Sequence, residues 1–576
     1  MASKALPHKT SGRVSIVVAI VIGVSVAVWE APSPHAQDTP VLAAMADELA
    51  RSMKELRLRD QPAPYFIEYE VEDRAATRVT SRFGALVEDL TGRSRVLRVG
   101  VRVGTYDFDS SLFNAPGGGG GGVVSLTADG STNAPLDDDY DAMRRQIWLA
   151  TDAAYKRAVS VFARKKAAFQ NRASAETVPD FSRETPAETV LKGLPLAFVN
   201  RDWPERTKQI SAAFNGFPMI ENGEASAADT RGTRYYLNSE GSKVVAPIQI
   251  ASLRVAAEAR ADDGSTVRDV FTLVEQNLQD MPPVAELVTR ARQMAERVKA
   301  VRTAPIGEEY TGPLLLEGQA SAELVAQALI PPMLARRPPE TAGRGGRGGG
   351  PAQVTPFHRR LGLRVLTEPF SVSDTPSLRE FGGRPVAGAY VVDDYGVKAK
   401  DVVLVEKGRL VTLLTGRAPL RGLLQSSGHT RGGDVQAGVF QVQSSDAVSA
   451  GDLRKKYLAV LKTQDRSFGY IVRGIANPND AGGGGPGAGP LILDAVKVTP
   501  DGKEHVVRGV RLGSVASSAF RDLLDASRER TLYNYRGTTT DPVSVIVPSL
   551  IFEELEVQQT REITQKPPVV SSPSTN

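Results

Sequence analysis

The chain of 576 residues contains no cysteine. That excludes a disulfide scaffold, a thiol nucleophile and any thiolate metal ligand. Histidine is scarce as well. Of five, His8 and His35 lie near the N-terminus, leaving only His358, His429 and His505 for the rest of the chain. No two stand at the spacing that sets a pair of imidazoles on one helix face, so a histidine-based zinc site would have to be assembled from distant segments. Aromatic residues make up 6% of the chain, and no dense Lys/Arg run is interleaved with them, which argues against nucleic acid as a partner. With 70 basic and 66 acidic residues, the net charge of +4 is a small excess and not a basic face. No GxSxG elbow precedes a helical pattern, no phosphate loop is present, and the glycine runs are too uniform to mark a dinucleotide fold.

What is present begins with an export signature. Lys4, Lys9 and Arg13 precede an apolar run over residues 14–29, followed by EAPSPHAQ. A basic start, a short apolar stretch and a small-residue exit read as a signal peptide over residues 1–37. The run is shorter than the roughly 20 apolar residues a spanning helix needs, so contact with a membrane is expected only if the signal stays uncleaved. The expected location is periplasmic or extracellular.

Length and patterning predict an α+β protein of two main parts. Residues 38–305 form a mixed α/β N-terminal domain. It has helices over 41–58, 136–170 and 284–301, a strand over 64–73, two strands around Thr91–Gly92, and further strands over 233–275. Asp137, Asp138 and Asp139 stand at the start of the longest helical pattern, where carboxylates cap backbone amides and favour the positive end of the dipole. Residues 336–355 are a Pro/Gly/Arg-rich insert and residues 564–576 a polar tail, both expected to be disordered, and Gly117–Gly122 and residues 480–490 read as loops. Residues 356–563 are rich in short β patterns punctuated by Lys407–Gly408 and Asp501–Gly502, which predicts a β-rich C-terminal domain of barrel or sandwich type. Between the two domains, residues 311–333 (TGPLLLEGQASAELVAQALIPPM) read as a helix. Glu317 stands in its first turn, and Leu324, Val325, Ala328 and Leu329 form its buried face.

Residues 382–433 carry a DDYG element containing Asp393, Asp394 and Gly396. A strand pair over 403–410 follows, and then an SSGHTR loop containing Gly428, His429 and Arg431. In order and spacing this segment resembles the C-terminal domain of the TldD/PmbA family of metallopeptidase-like proteins, with its IDDEG, VLIENGVL and STGNGRR elements. Each element also has a plain structural reading, as tight turns and a hairpin. Small residues beside His429 and Arg431 would equally let a ligand approach the backbone, so these six residues are candidates for substrate or partner binding. Active members of that family carry an HExxxH helix and a downstream cysteine that hold zinc. The metal lowers the pKa of its bound water to about 7 and the glutamate takes the proton.

Aligned with that helix, residues 306–335 place Leu316 and Ser321 at the histidine positions and Glu317 at the glutamate. The cysteine position falls within residues 534–542, which contain none. The resemblance therefore implies a member without zinc of its own, close in character to the zinc-less PmbA/TldE type. Such a chain would be a peptide-binding or regulatory subunit of a hetero-oligomeric peptidase. Its partner would be a TldD-like zinc-bearing homologue or a second copy of itself, and its ligand a peptide or unfolded polypeptide. The alternatives are an active metallopeptidase with an atypical metal site, for instance Glu317 with His429, and a stand-alone envelope binding protein.

Overall fold

The computed structural model describes residues 39–114, 131–170, 178–197, 202–341, 355–478, 489–536 and 541–560. The segment expected to be a signal peptide, the hexaglycine run, most of the Pro/Gly/Arg insert and the C-terminal tail lie outside them. No helix among the described residues is long and apolar enough to cross a membrane.

The N-terminal part is built on a seven-stranded sheet. Its principal strands are β1 (Pro64–Arg82), β2 (Ala85–Val103), β3 (Ile220–Asn238), β4 (Lys243–Arg260) and β5 (Thr266–Glu275), adjacent in the order β2-β1-β3-β4-β5 and antiparallel throughout. The turn expected at Thr91–Gly92 does not exist. Gly92 pairs with Ala76 inside an unbroken ladder, and the chain reverses at Phe83–Gly84, where φ is 46° and 84°. Two successive positive φ values match the twist of a tight hairpin, whereas Gly92 needs no special conformation.

Helices cover one face of this sheet. α1 (Pro40–Glu55) and α2 (Tyr140–Phe169) pack on β1 and β2 through Val41, Met45, Met143, Ile147 and Tyr155. Asp139 caps α2 by accepting from the Ala142 N–H at 2.7 Å, while Asp138 pairs with Arg95. α3 (Trp203–Ala212) and α4 (Val284–Arg302) bury Trp203, Phe214, Leu287 and Met294 against alternate residues of β3 and β4, such as Ala225, Leu253 and Val255. That period of two leaves the other set, including Ser226, Ala228, Ser252 and Arg254, on the opposite face.

The C-terminal part is one open eleven-stranded mixed sheet and not a closed barrel. Its members include β6 (Tyr310–Leu316), β7 (Phe370–Asp374), β8 (Val402–Glu406), β9 (Val439–Ser444), β10 (Gly469–Ile475), β11 (Ile492–Val498), β12 (Leu523–Arg536) and β13 (Pro542–Gln559). The long β13 is the spine, pairing with β9, β6 and β12 along its length. Two helices flank the sheet, α5 (Gln319–Leu324), which continues as a π-helical turn to Leu329, and α6 (Ala450–Thr463).

The helix expected over 311–333 is therefore half strand. Leu314, Leu315 and Leu316 are fully buried in β6 between β13 and β10. Leu315 faces α6, while Leu314 and Leu316 face the main core. A strand covered on both faces is apolar without alternation, and in sequence that reads as well for a buried helix.

Candidate functional site

The junction of β6 and α5 decides what the zinc-helix positions can do. Glu317 follows the strand, and Gly318 makes the turn into α5 with φ of 54°. The Glu317 carboxylate accepts two hydrogen bonds from Arg454 of α6, from Nε at 2.6 Å and Nη2 at 2.7 Å. Arg473 approaches it at 3.4 Å, and both arginines also reach Glu504. This bidentate pairing raises Arg454 above the usual guanidinium range. Leu316 is wholly inside the core, and the Ser321 hydroxyl donates to the Pro548 carbonyl at 2.7 Å. These residues do not fit a zinc ion: one offers no donor atom, one is committed to the backbone and one is neutralised by arginine. Among the described residues no group of three or more His, Asp or Glu is placed to hold a metal.

The second set of candidates lies elsewhere, where the two domains meet. Asp393 turns the chain: its Oδ1 accepts from the Tyr395 and Val397 amides at 3.0 and 2.9 Å, and its Oδ2 from the Thr430 amide at 3.1 Å. Burial nevertheless outweighs those donors, and neighbouring Asp394 adds to it, pushing Asp393 up to about 7. Asp394 forms an ion pair with Arg234 of β3. Gly396, at φ of 68°, lies so close to Tyr236 and Ser242 that a Cβ would collide with both. The Ser242 hydroxyl donates to its carbonyl at 3.3 Å. Gly428, at φ of 75°, leaves no room for a Cβ beside the Lys398 carbonyl.

His429 is completely buried. Its Nε2 is 3.2 Å from Asp374, and its Nδ1 is 2.9 Å from the Ser427 hydroxyl and 3.0 Å from the Ser427 carbonyl; the carboxylate only accepts, so Nε2–H donates to it. Ser427, His429 and Asp374 thus form a serine–histidine–aspartate line. The Asp374 carboxylate also accepts from the Gly438 and Val439 amides, and the Ser427 hydroxyl accepts from the Thr415 amide. Arg431 donates to the Ala437 carbonyl and lies 4.6 Å from the Tyr390 ring centre. The structure brings all six residues together, and their polar groups bond to this chain itself.

An open cleft lies between the uncovered face of the N-terminal sheet and the C-terminal sheet. Two cavities, of about 750 and 380 Å³, share Thr272, Val274, Asn477, Tyr533 and Asn534 and form one groove. Its floor is a row running straight across five strands: Glu88, Thr80, Ser226, Arg254 and Thr272. The facing wall is the end of β12, residues 533–536, where the Tyr533 and Tyr535 rings stack 5.7 Å apart. The other end reaches Gln319 of α5 and Arg473, which touches Glu317. Behind the wall, Glu323 of α5 is fully buried and accepts from Asn477 at 3.2 Å. None of these cleft residues was a candidate site residue from sequence, although Asn534, Tyr535 and Arg536 fall in the segment aligned with the family's cysteine and Gln319 in the one aligned with its zinc helix.

Residues 311–559 match the family described as PmbA/TldA metallopeptidase C-terminal domain. That match assigns the C-terminal part of the chain to the TldD/PmbA family. The chain is 25% identical over 274 residues to a metalloprotease of Methanothermobacter thermautotrophicus, a match that covers 44% of this chain and about half (48%) of that relative. In fold it is similar to a putative modulator of DNA gyrase from Thermotoga maritima (TM-score 0.59, 12% identity, 90% of this chain and 99% of that one). It is also similar to TldE from Thermococcus kodakarensis (TM-score 0.55, 14% identity, 89% and 99%).

Proposed function

We propose that this chain is an exported, non-catalytic TldD/PmbA-family protein that binds extended polypeptide in the interdomain cleft and works beside a zinc-bearing homologue. The observation that carries the reading is the state of the zinc-helix positions. Leu316 lies in the core, Ser321 is bonded to the backbone, and the Glu317 carboxylate is held by Arg454. A glutamate paired in that way has no metal-bound water to deprotonate. The groove remains open, and at about 750 Å³ its larger cavity matches the size of sites that enclose a ligand. Export rests on the N-terminal pattern of residues 1–37.

Affinity purification of the tagged full chain from its native host tests the partnership. Recovery with a homologue containing HExxxH supports the subunit reading. Recovery alone, with hydrolysis of unfolded casein that a chelator abolishes, overturns it in favour of an active metallopeptidase.

A further inference from the structure

The arginines of the cleft have a use that the fold does not explain. Each of the two cavities is lined by four arginines and two acidic residues, and by no lysine. Some of these charges are matched internally: Arg82 with Glu224, Arg297 with Asp269, and Arg384 with Glu275. Arg78 and Arg290 are not. Among the described residues neither has a carboxylate within ion-pair distance: Arg78 projects from the floor, and Arg290, with Glu286 one turn earlier on α4 as its nearest acidic influence, lies 5.1 Å from the Phe271 ring centroid.

The surroundings add to the imbalance. Burial lowers the pKa of Arg290; Glu286 opposes that shift, while nearby Arg384 and Arg297 add to it. Arg536, on the opposite wall, is lowered by burial, with Asp541 opposing the shift and Arg74 and Arg78 adding to it. Guanidiniums set close together in a partly desolvated groove destabilise one another unless an anion enters.

Between these charges the floor is flat, because Thr80, Ser226, Ala228, Ser252 and Thr272 are all small. At its outer end the β1–β2 hairpin exposes Phe83, Leu86, Val87 and Leu90, each between 36% and 57% accessible, and Val87 borders the groove. A flat channel with spaced guanidiniums and an apolar lip fits an extended chain carrying carboxylates and some apolar side chains. Glu88 and Glu224 stand in the same floor and would repel a continuous line of phosphates, whereas carboxylates separated by neutral residues avoid them.

Resting on the reading of the cleft as a polypeptide site, we infer that its preferred ligands are acidic, extended polypeptide segments, with Arg78 and Arg290 receiving their carboxylates. The test uses the full chain and fluorescence anisotropy with three labelled peptides of equal length, alternating Leu and Ser with Glu, Gln or Lys. The Glu peptide should bind about tenfold more tightly than the Gln peptide, roughly one such ion pair's worth. Added salt should weaken it, and the Lys peptide should not compete. The paired substitution Arg78→Gln and Arg290→Gln should remove most of the difference, and Arg359→Gln, away from the groove, should leave it intact. Equal binding of the Glu and Gln peptides overturns the acidic preference and leaves the polypeptide site standing. Binding of none of the three overturns both, and tighter binding of oligothymidylate than of the Glu peptide assigns the groove to nucleic acid instead.

Discussion

Two polar regions of this molecule invite functional interpretation, and they behave in opposite ways. The loops carrying Asp393, Asp394, Gly428, His429 and Arg431 look in sequence like a reactive site. In the fold they are a buried clamp in which the carboxylates and the histidine are hydrogen-bonded to this chain itself. The interdomain cleft draws no attention in sequence, yet two of its arginines, Arg78 and Arg290, have no carboxylate within ion-pair distance among the described residues and stand beside an open channel. A polar group whose bonds are all made inside the chain stabilises the fold, whereas one left unmatched at a cavity is available to a ligand. The residue types are similar in the two places, so what separates them is where the partners are.

Breaking the clamp should have the largest effect. Asp374→Ala leaves buried His429 and two backbone amides without their acceptor, and should cost about 3–5 kcal/mol in chemical denaturation. The groove itself should stay intact in whatever fraction remains folded. Gly428→Ala puts a side chain at positive φ against a carbonyl, and should cost about 2–3 kcal/mol.

Asp393 gives the clamp a pH dependence of known sign. Its pKa is raised from 3.8 to about 7, so the folded state holds a proton that the unfolded state releases, and stability should fall as pH rises from about 4 to about 7. The full shift corresponds to an upper limit on the order of 4 kcal/mol. Glu70 and Asp394, raised chiefly by burial, act in the same direction. Urea melts across that range should show a decline that flattens in Asp393→Asn.

Glu317→Gln should be milder, about 1 kcal/mol, because its partner Arg454 is partly exposed and keeps Glu504 within reach. It should leave peptide binding unchanged within error. The smallest effect on stability belongs to Arg78→Gln, within about 0.5 kcal/mol, since nothing in the fold leans on that side chain. If it unfolded the protein, the contrast between clamp and cleft would fail.

Much of this architecture was legible from sequence, and the exceptions share a cause. Helices α1, α2 and α4 and parts of the long strands announced themselves by period, and Asp139 by its capping position. The Leu314–Leu316 run misled because a strand buried on both faces loses its alternation. α6 and β12 were missed altogether, and with them Arg454, which neutralises Glu317, and the Tyr533–Arg536 wall of the cleft. The floor row of Glu88, Thr80, Ser226, Arg254 and Thr272 comes from strands far apart in sequence and is aligned only by their register. No local pattern encodes that alignment. Leu316, Glu317 and Ser321, by contrast, could be placed by resemblance alone, and the structure adds what each of them is bonded to.

The most direct test of the account is the zinc content of the full chain, purified without chelator and measured by plasma emission spectrometry. The account predicts far less than one zinc per chain, unchanged in Glu317→Gln. Near-stoichiometric zinc that is lost on replacing Glu317 would contradict it.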